Sequence, residues 1–137
     1  MILDIISFPD VLWIRFIAGF VIGAILGSFT VVLAYRLPRH LSIVLPRSHC
    51  LSCNTVLSIR DLVPIFSWLS TRGHCRHCGA NIGAKCLVIE IVTGLACATA
   101  TVLIGYSLWL IGAYAGIVAA VAALFWIIQS GFGKNKP

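Results

Sequence analysis

Charge is what this sequence has least of. Of its 137 residues only 10% are Asp, Glu, Lys or Arg, against about 25% in an ordinary soluble domain. Apolar residues make up 60%, and the mean hydropathy is +1.03. That is the composition of a membrane protein, not of a water-soluble globule. Acids are scarcest: Asp4, Asp10, Asp61 and Glu90 are all there are. A secretory cleavage site is missing too. The first apolar run is too long for a signal peptide, basic residues follow it, and no small-x-small tripeptide stands before them.

The little charge present is unevenly placed. Residues 36–85 hold Arg36, Arg39, Arg47, Arg60, Arg72, Arg76 and Lys85 against Asp61 alone. Nucleic acid is the lesser reading of such a basic stretch, and no nucleic-acid partner is expected. Short cytoplasmic loops of membrane proteins are rich in Lys and Arg, which explains the charge better.

Three apolar segments frame that loop. Phe16 to Tyr35 is free of charge and about as long as a bilayer-spanning helix must be. Arg15 at its outer end can snorkel to the interface. Within it Gly19, Gly23 and Gly27 recur every four residues, a smooth stripe for close helix approach. Pro38 should stop the helix near Leu37. From Leu87 to Ser130 the only charge is Glu90, which is room for two spans. A turn at Gly105-Tyr106-Ser107 separates one over about 86–104 from another over about 107–129. Gly112, Gly116 and Ala120 form a second small-residue stripe. Three spans put Lys134 and Lys136 on the side of the basic loop.

The expected architecture is an α-helical membrane protein of about three transmembrane helices with a zinc-ribbon-like loop between the first and second. Residues 1–38 are the first helix with a short N-terminus, 39–85 the loop domain, 86–130 the second and third helices, and 131–137 a basic tail.

Inside the loop lie Cys50-x-x-Cys53 and, twenty-one residues on, Cys75-x-x-Cys78. Two such pairs are a strong zinc signal, because each turn points two sulfurs at one ion and two turns complete a tetrahedron. Cytoplasmic thiols stay reduced, which favours metal; a reversed topology would favour two disulfides. Four thiolates leave no open position, so the site is structural. His49, His74 and His77 flank it without being needed as ligands. Around the ion the loop should form short turns or a two-stranded ribbon. The stretch Arg60 to Leu69 is apolar and too short to span; it lies in the headgroup region or packs on the zinc turns. Asp61 is a binding or general-base carboxylate, or an arginine's ion-pair partner. Glu90 enters the second span in its first turns, where a helix dipole favours it and where an intramembrane acid is a functional candidate. Cys86 and Cys97 are small apolar filler.

Together these stretches resemble the N-terminal half of the bacterial prepilin peptidases. The matching residues are Gly27-Ser28-Phe29 through Tyr35-Arg36-Leu37-Pro38, Cys50-x-x-Cys53, Asp61-x-x-Pro64, Ser67-Trp68-Leu69, Arg72-Gly73-x-Cys75-Arg76-x-Cys78-Gly79 and Glu90-x-x-x-Gly94. Members of that family cleave prepilin leaders with two membrane-embedded aspartates and methylate the new amine with S-adenosylmethionine. The resemblance implies zinc on Cys50, Cys53, Cys75 and Cys78, Asp61 and Glu90 as catalytic candidates, and Gly94 as a cofactor-binding candidate. It implies a multi-pass protein of the bacterial inner membrane, N-terminus periplasmic, with loop and C-terminus cytoplasmic. The implied partners are the membrane, a prepilin-like substrate and a separately encoded aspartyl peptidase half. This sequence stops before the family's aspartate motif, and a peptidase needs two acids sharing one water, so no aspartic peptidase is expected from it alone. A stand-alone methyltransferase-type half is expected, with a non-enzymatic membrane adaptor as the alternative. The sequence departs from the family pattern at Val31, Leu51, Leu62, Cys86 and Leu87, where Asn, Pro, Asn and Tyr-Pro are usual.

Overall fold

The computed structural model describes residues 9–45 and 47–132. Among the described residues, four α-helices follow in chain order: α1 (Pro9–Arg36), α2 (Phe66–Thr71), α3 (Lys85–Ile104) and α4 (Leu108–Phe132). Three of them, α1, α3 and α4, are long and apolar enough to cross a membrane. The ends fall close to where the sequence puts them. Helix α1 stops at Arg36, a 3-10 turn over Leu37–Arg39 carries Pro38, and His40 turns left-handed at φ 54°. Helix α3 closes at Gly105, whose φ of 73° is open to a residue without Cβ. The start differs: α1 begins at Pro9, well before Phe16, since proline is suited to a first helical turn. Residues 133–137, most of the expected basic tail, lie outside the described residues, as do Lys134 and Lys136.

The core is the antiparallel seam between α1 and α3. A Cβ on Gly19 would meet Thr101 and the Cα of Ala98; one on Gly23 would come within 2.6 Å of Cys97 and 2.9 Å of the Cα of Gly94; one on Gly27 would lie 3.1 Å from the Cα of Glu90. The glycine stripe thus lets two backbones touch, as its spacing predicts. Gly94 answers it from α3, where a Cβ would come within 2.9 Å of the Phe20 ring. Thr30, Thr93 and Thr101 are fully buried in this seam. Each hydroxyl donates to the carbonyl one turn earlier, at 2.7 Å, which removes the cost of an unmade bond.

Helix α4 is held more loosely. The Thr101 hydroxyl proton is spent on Cys97, so the 2.6 Å contact with the Tyr114 hydroxyl has Tyr114 donating. The second small-residue stripe does not pack as expected. Cβ atoms on Gly112 and Gly116 would meet nothing within 4 Å, because α4 turns Tyr114 to its neighbours and leaves those glycines outward. At the opposite end from the loop, the Arg15 guanidinium lies 5.6 Å from the Tyr106 ring centre, which ties α1 to the α3–α4 turn by a cation–π contact.

Candidate functional site

The loop folds as two copies of one knuckle. In the first, the Cys50 amide donates to Thr55 and the Asn54 amide to Cys50. In the second, the Cys75 amide donates to Ala80 and the Gly79 amide to Cys75. His49 bridges Val56 and His74 bridges Asn81. Asn54 and Gly79 both turn left-handed, at φ 55° and 69°, a conformation that Asn and Gly tolerate best. His49 Nδ1 meets the Arg47 carbonyl and His74 Nδ1 the Arg72 carbonyl, at 3.1 and 2.8 Å. The two isolated bridges take the place of a continuous ribbon, since each knuckle closes on itself.

The four sulfurs lie within 4.8 Å of one another, and those of Cys50 and Cys78 are 3.8 Å apart. Zinc–sulfur bonds of about 2.3 Å set tetrahedral edges of about 3.8 Å, so the donor set fits zinc. The histidines stand outside it. Backbone amides of Cys53 and Ser52 hold the Cys50 thiol below its usual value, Thr55 does so for Cys53, and the amides of Cys78 and His77 do so for Cys75. At Cys78 the Ala80 amide pulls down, but desolvation and the three neighbouring sulfurs prevail and push it up to about 11.

Asp61 binds the two knuckles together. Its Oδ2 accepts from the Ser58 amide at 3.1 Å and the Ser58 hydroxyl at 2.6 Å, a capping box on the 3-10 turn Ile59–Leu62. Its Oδ1 lies 2.9 Å from Arg76 Nε, beside Cys75. The Ser58 hydroxyl foremost, with Arg76 adding its charge, holds the Asp61 carboxyl below the usual carboxylate value. Arg76 also donates to Ser70 on α2 at 2.8 Å. Trp68 packs inward on Gly73 and donates to the Gly83 carbonyl at 2.9 Å.

Glu90 joins this unit to the helices. It is only 6% exposed, and its Oε2 accepts the Ile65 amide at 2.8 Å. Ile65 sits at φ 62°, ψ −52°, with the Phe66 amide donating to Pro64 at 2.6 Å. That is the positive-φ γ-turn, rare and strained, and more so for a β-branched residue. Asp61 and Glu90 line one cleft of about 210 Å³ with Ser28, Trp68, His77 and Cys86. A second cleft of about 370 Å³, lined by Tyr35, Arg36, His49 and Phe125, meets the first at Val31, Val32 and Ser48. Gly94 lines neither. Val31, Leu51, Leu62, Cys86 and Leu87, where the sequence departs from the family pattern, all line one or both.

Sequence reasoning missed three parts of this arrangement. The capping box was readable as Ser58-x-x-Asp61. The duplication was readable as Arg47-x-His49-Cys50-x-x-Cys53 against Arg72-x-His74-Cys75-x-x-Cys78. The Ile65 turn carries no signal, because no residue preference predicts a strained isoleucine.

A three-helix membrane core that carries, between its first two spans, a loop whose four cysteines could hold a metal ion defines the class. Residues 21–104 match the Bacterial Peptidase A24 N-terminal domain, and the chain belongs to that family. It is 42% identical over 89 residues to a prepilin leader peptidase/N-methyltransferase of Bacillus subtilis, covering 65% of this chain and 36% of that protein. It is 43% identical over 76 residues to one of Myxococcus xanthus, covering 56% and 23%. It is 36% identical over 92 residues to a type 4 prepilin-like proteins leader peptide-processing enzyme of Escherichia coli, covering 54% and 34%. The chain thus spans about a third or less of these relatives. No solved structure matches it. Family and spans make it a bacterial inner-membrane protein with a prepilin peptidase-related role.

Proposed function

We propose that this chain is the methyltransferase-type half of a prepilin peptidase and acts on the freed N-terminus of a pilin-like protein. The supporting observation is a buried carboxylate, Glu90, in a cleft walled by both the loop and the helices. In this reading zinc holds the two knuckles, the loop faces the cytoplasm, and a separately encoded half supplies the cleaving aspartates. S-adenosylmethionine would supply an electrophilic methyl group, and two carboxylates in one cleft suit its sulfonium as well as an amine. Glu90 accepts the amine's proton and aims its lone pair. Asp61, tied to Ser58 and Arg76, keeps the cleft wall in place. Gly94 contributes by letting α1 and α3 close.

The test adds lipid-reconstituted protein to a processed pilin peptide with S-adenosylmethionine and weighs the product. A gain of one methyl group is expected, abolished by Glu90→Gln. No gain, with metal bound and peptide captured, overturns methyl transfer. That outcome would leave the second reading, a membrane adaptor. The apolar lining at Val31, Leu62, Cys86 and Leu87 favours it, since such a cleft grips a helix better than a charged cofactor.

A further inference from the structure

The segment between the knuckles is apolar on its outer side. Ile59 and Phe66 are 77% and 73% exposed, and Leu62, Val63 and Leu69 are exposed with them, while Trp68 and Asp61 face inward. A loop in water has no reason to present five large apolar side chains together.

Depth supplies the reason. The Ile65 amide is pinned to Glu90, which lies five residues inside α3, about 7.5 Å along its axis. On α1 the matching level is Gly27, whose Cβ position lies 3.1 Å from the Cα of Glu90. Gly27 is nine residues from Arg36, about 13 Å short of that basic end. From Arg15 to Arg36 is about 31 Å of helix, one hydrocarbon thickness. The apolar segment therefore hangs below the level of the basic residues.

We propose that Ile59–Leu69 is embedded in the lipid leaflet at the basic end, with Ile59, Leu62, Val63, Phe66 and Leu69 against acyl chains. The Glu90–Ile65 bond anchors it there. Its strained turn and short helices are irregular backbone at membrane depth, where the capping box holds the Ser58 amide, Glu90 holds the Ile65 amide and Arg76 pairs with the Asp61 carboxylate. Arg60, the second residue of the segment, and Arg72, three residues past its end, are the cations that would reach up to the lipid phosphates.

The experiment places trifluoromethyl-phenylalanine at Phe66 in the full chain, in nanodiscs of phosphatidylethanolamine and phosphatidylglycerol. Fluorine relaxation is read with dissolved oxygen, which concentrates in acyl chains, and with a nickel chelate, which stays in water. Leu51 on the first knuckle, 79% exposed, and Leu124 on α4, 60% exposed, carry the same label as references. The oxygen-to-nickel ratio at Phe66 is expected to match Leu124 and exceed Leu51 severalfold. A ratio like that of Leu51 overturns the proposal. So does shielding from both reagents, which would mean that protein covers the segment.

Discussion

At the scale of single residues, two carboxylates that the sequence could only nominate are tied to different tasks. Glu90 accepts a backbone amide, and that bond survives in glutamine. Glu90→Gln should leave the loop intact, whereas Glu90→Ala strands the part-buried Ile65 amide at a cost of about 1–3 kcal/mol or less. Hydrogen exchange at Ile65 and Phe66 separates the two: fast in the alanine variant, near wild type in the glutamine variant. Asp61→Asn keeps the shape but loses the ion pair with Arg76 and weakens the cap, a loss of about 1 kcal/mol. It should be read as faster metal loss to a chelator. Because folding lowers the Asp61 pKa from 3.8, its stabilisation is full above that value. It disappears as pH falls through the lower folded value, so the Asp61→Asn difference should vanish in strong acid.

At the scale of elements, the seam and the knuckles respond to different insults. Gly23→Ile forces side-chain atoms into the Thr93 carbonyl and Cys97, 2.6 to 2.7 Å from its Cβ position. Backbone cannot yield as a flexible side chain can, so a cost of about 1–3 kcal/mol or more is expected in detergent unfolding. Gly112→Ile meets open space and should cost far less. Both stripes looked alike in sequence, because spacing shows a smooth face and not whether a helix lies on it. In the knuckles, Cys75→Ser should abolish metal binding, read by elemental analysis. Zinc uptake at neutral pH should release at least the Cys78 proton, and apparent affinity should fall at least about tenfold per pH unit on acidification.

At the scale of the whole molecule, the helices are expected to stand without a metal. Their seam is built of glycines, threonines and Phe20, none in the loop. Chelation should therefore leave far-ultraviolet helicity almost unchanged while amide exchange rises across residues 47–83. Composition and length made the three spans legible, and the cysteine spacing marked the four-sulfur cluster, because those signals are local. The meeting of Asp61, Arg76 and Glu90 around one cleft was not legible. It depends on the register of α1 on α3 and on a strained turn, and neither is written in any short pattern.

The glycine seam works as a ruler. Gly19, Gly23 and Gly27 each have one opposing position, near Ala98, Gly94 and Glu90. A slip of one turn would shift α3 by about 5.4 Å. That would carry Glu90 away from Ser28 and Val31 and draw Ile65 to a different depth. Residues with no chemistry of their own thus calibrate how far the carboxylate sits from each edge of the helix pair.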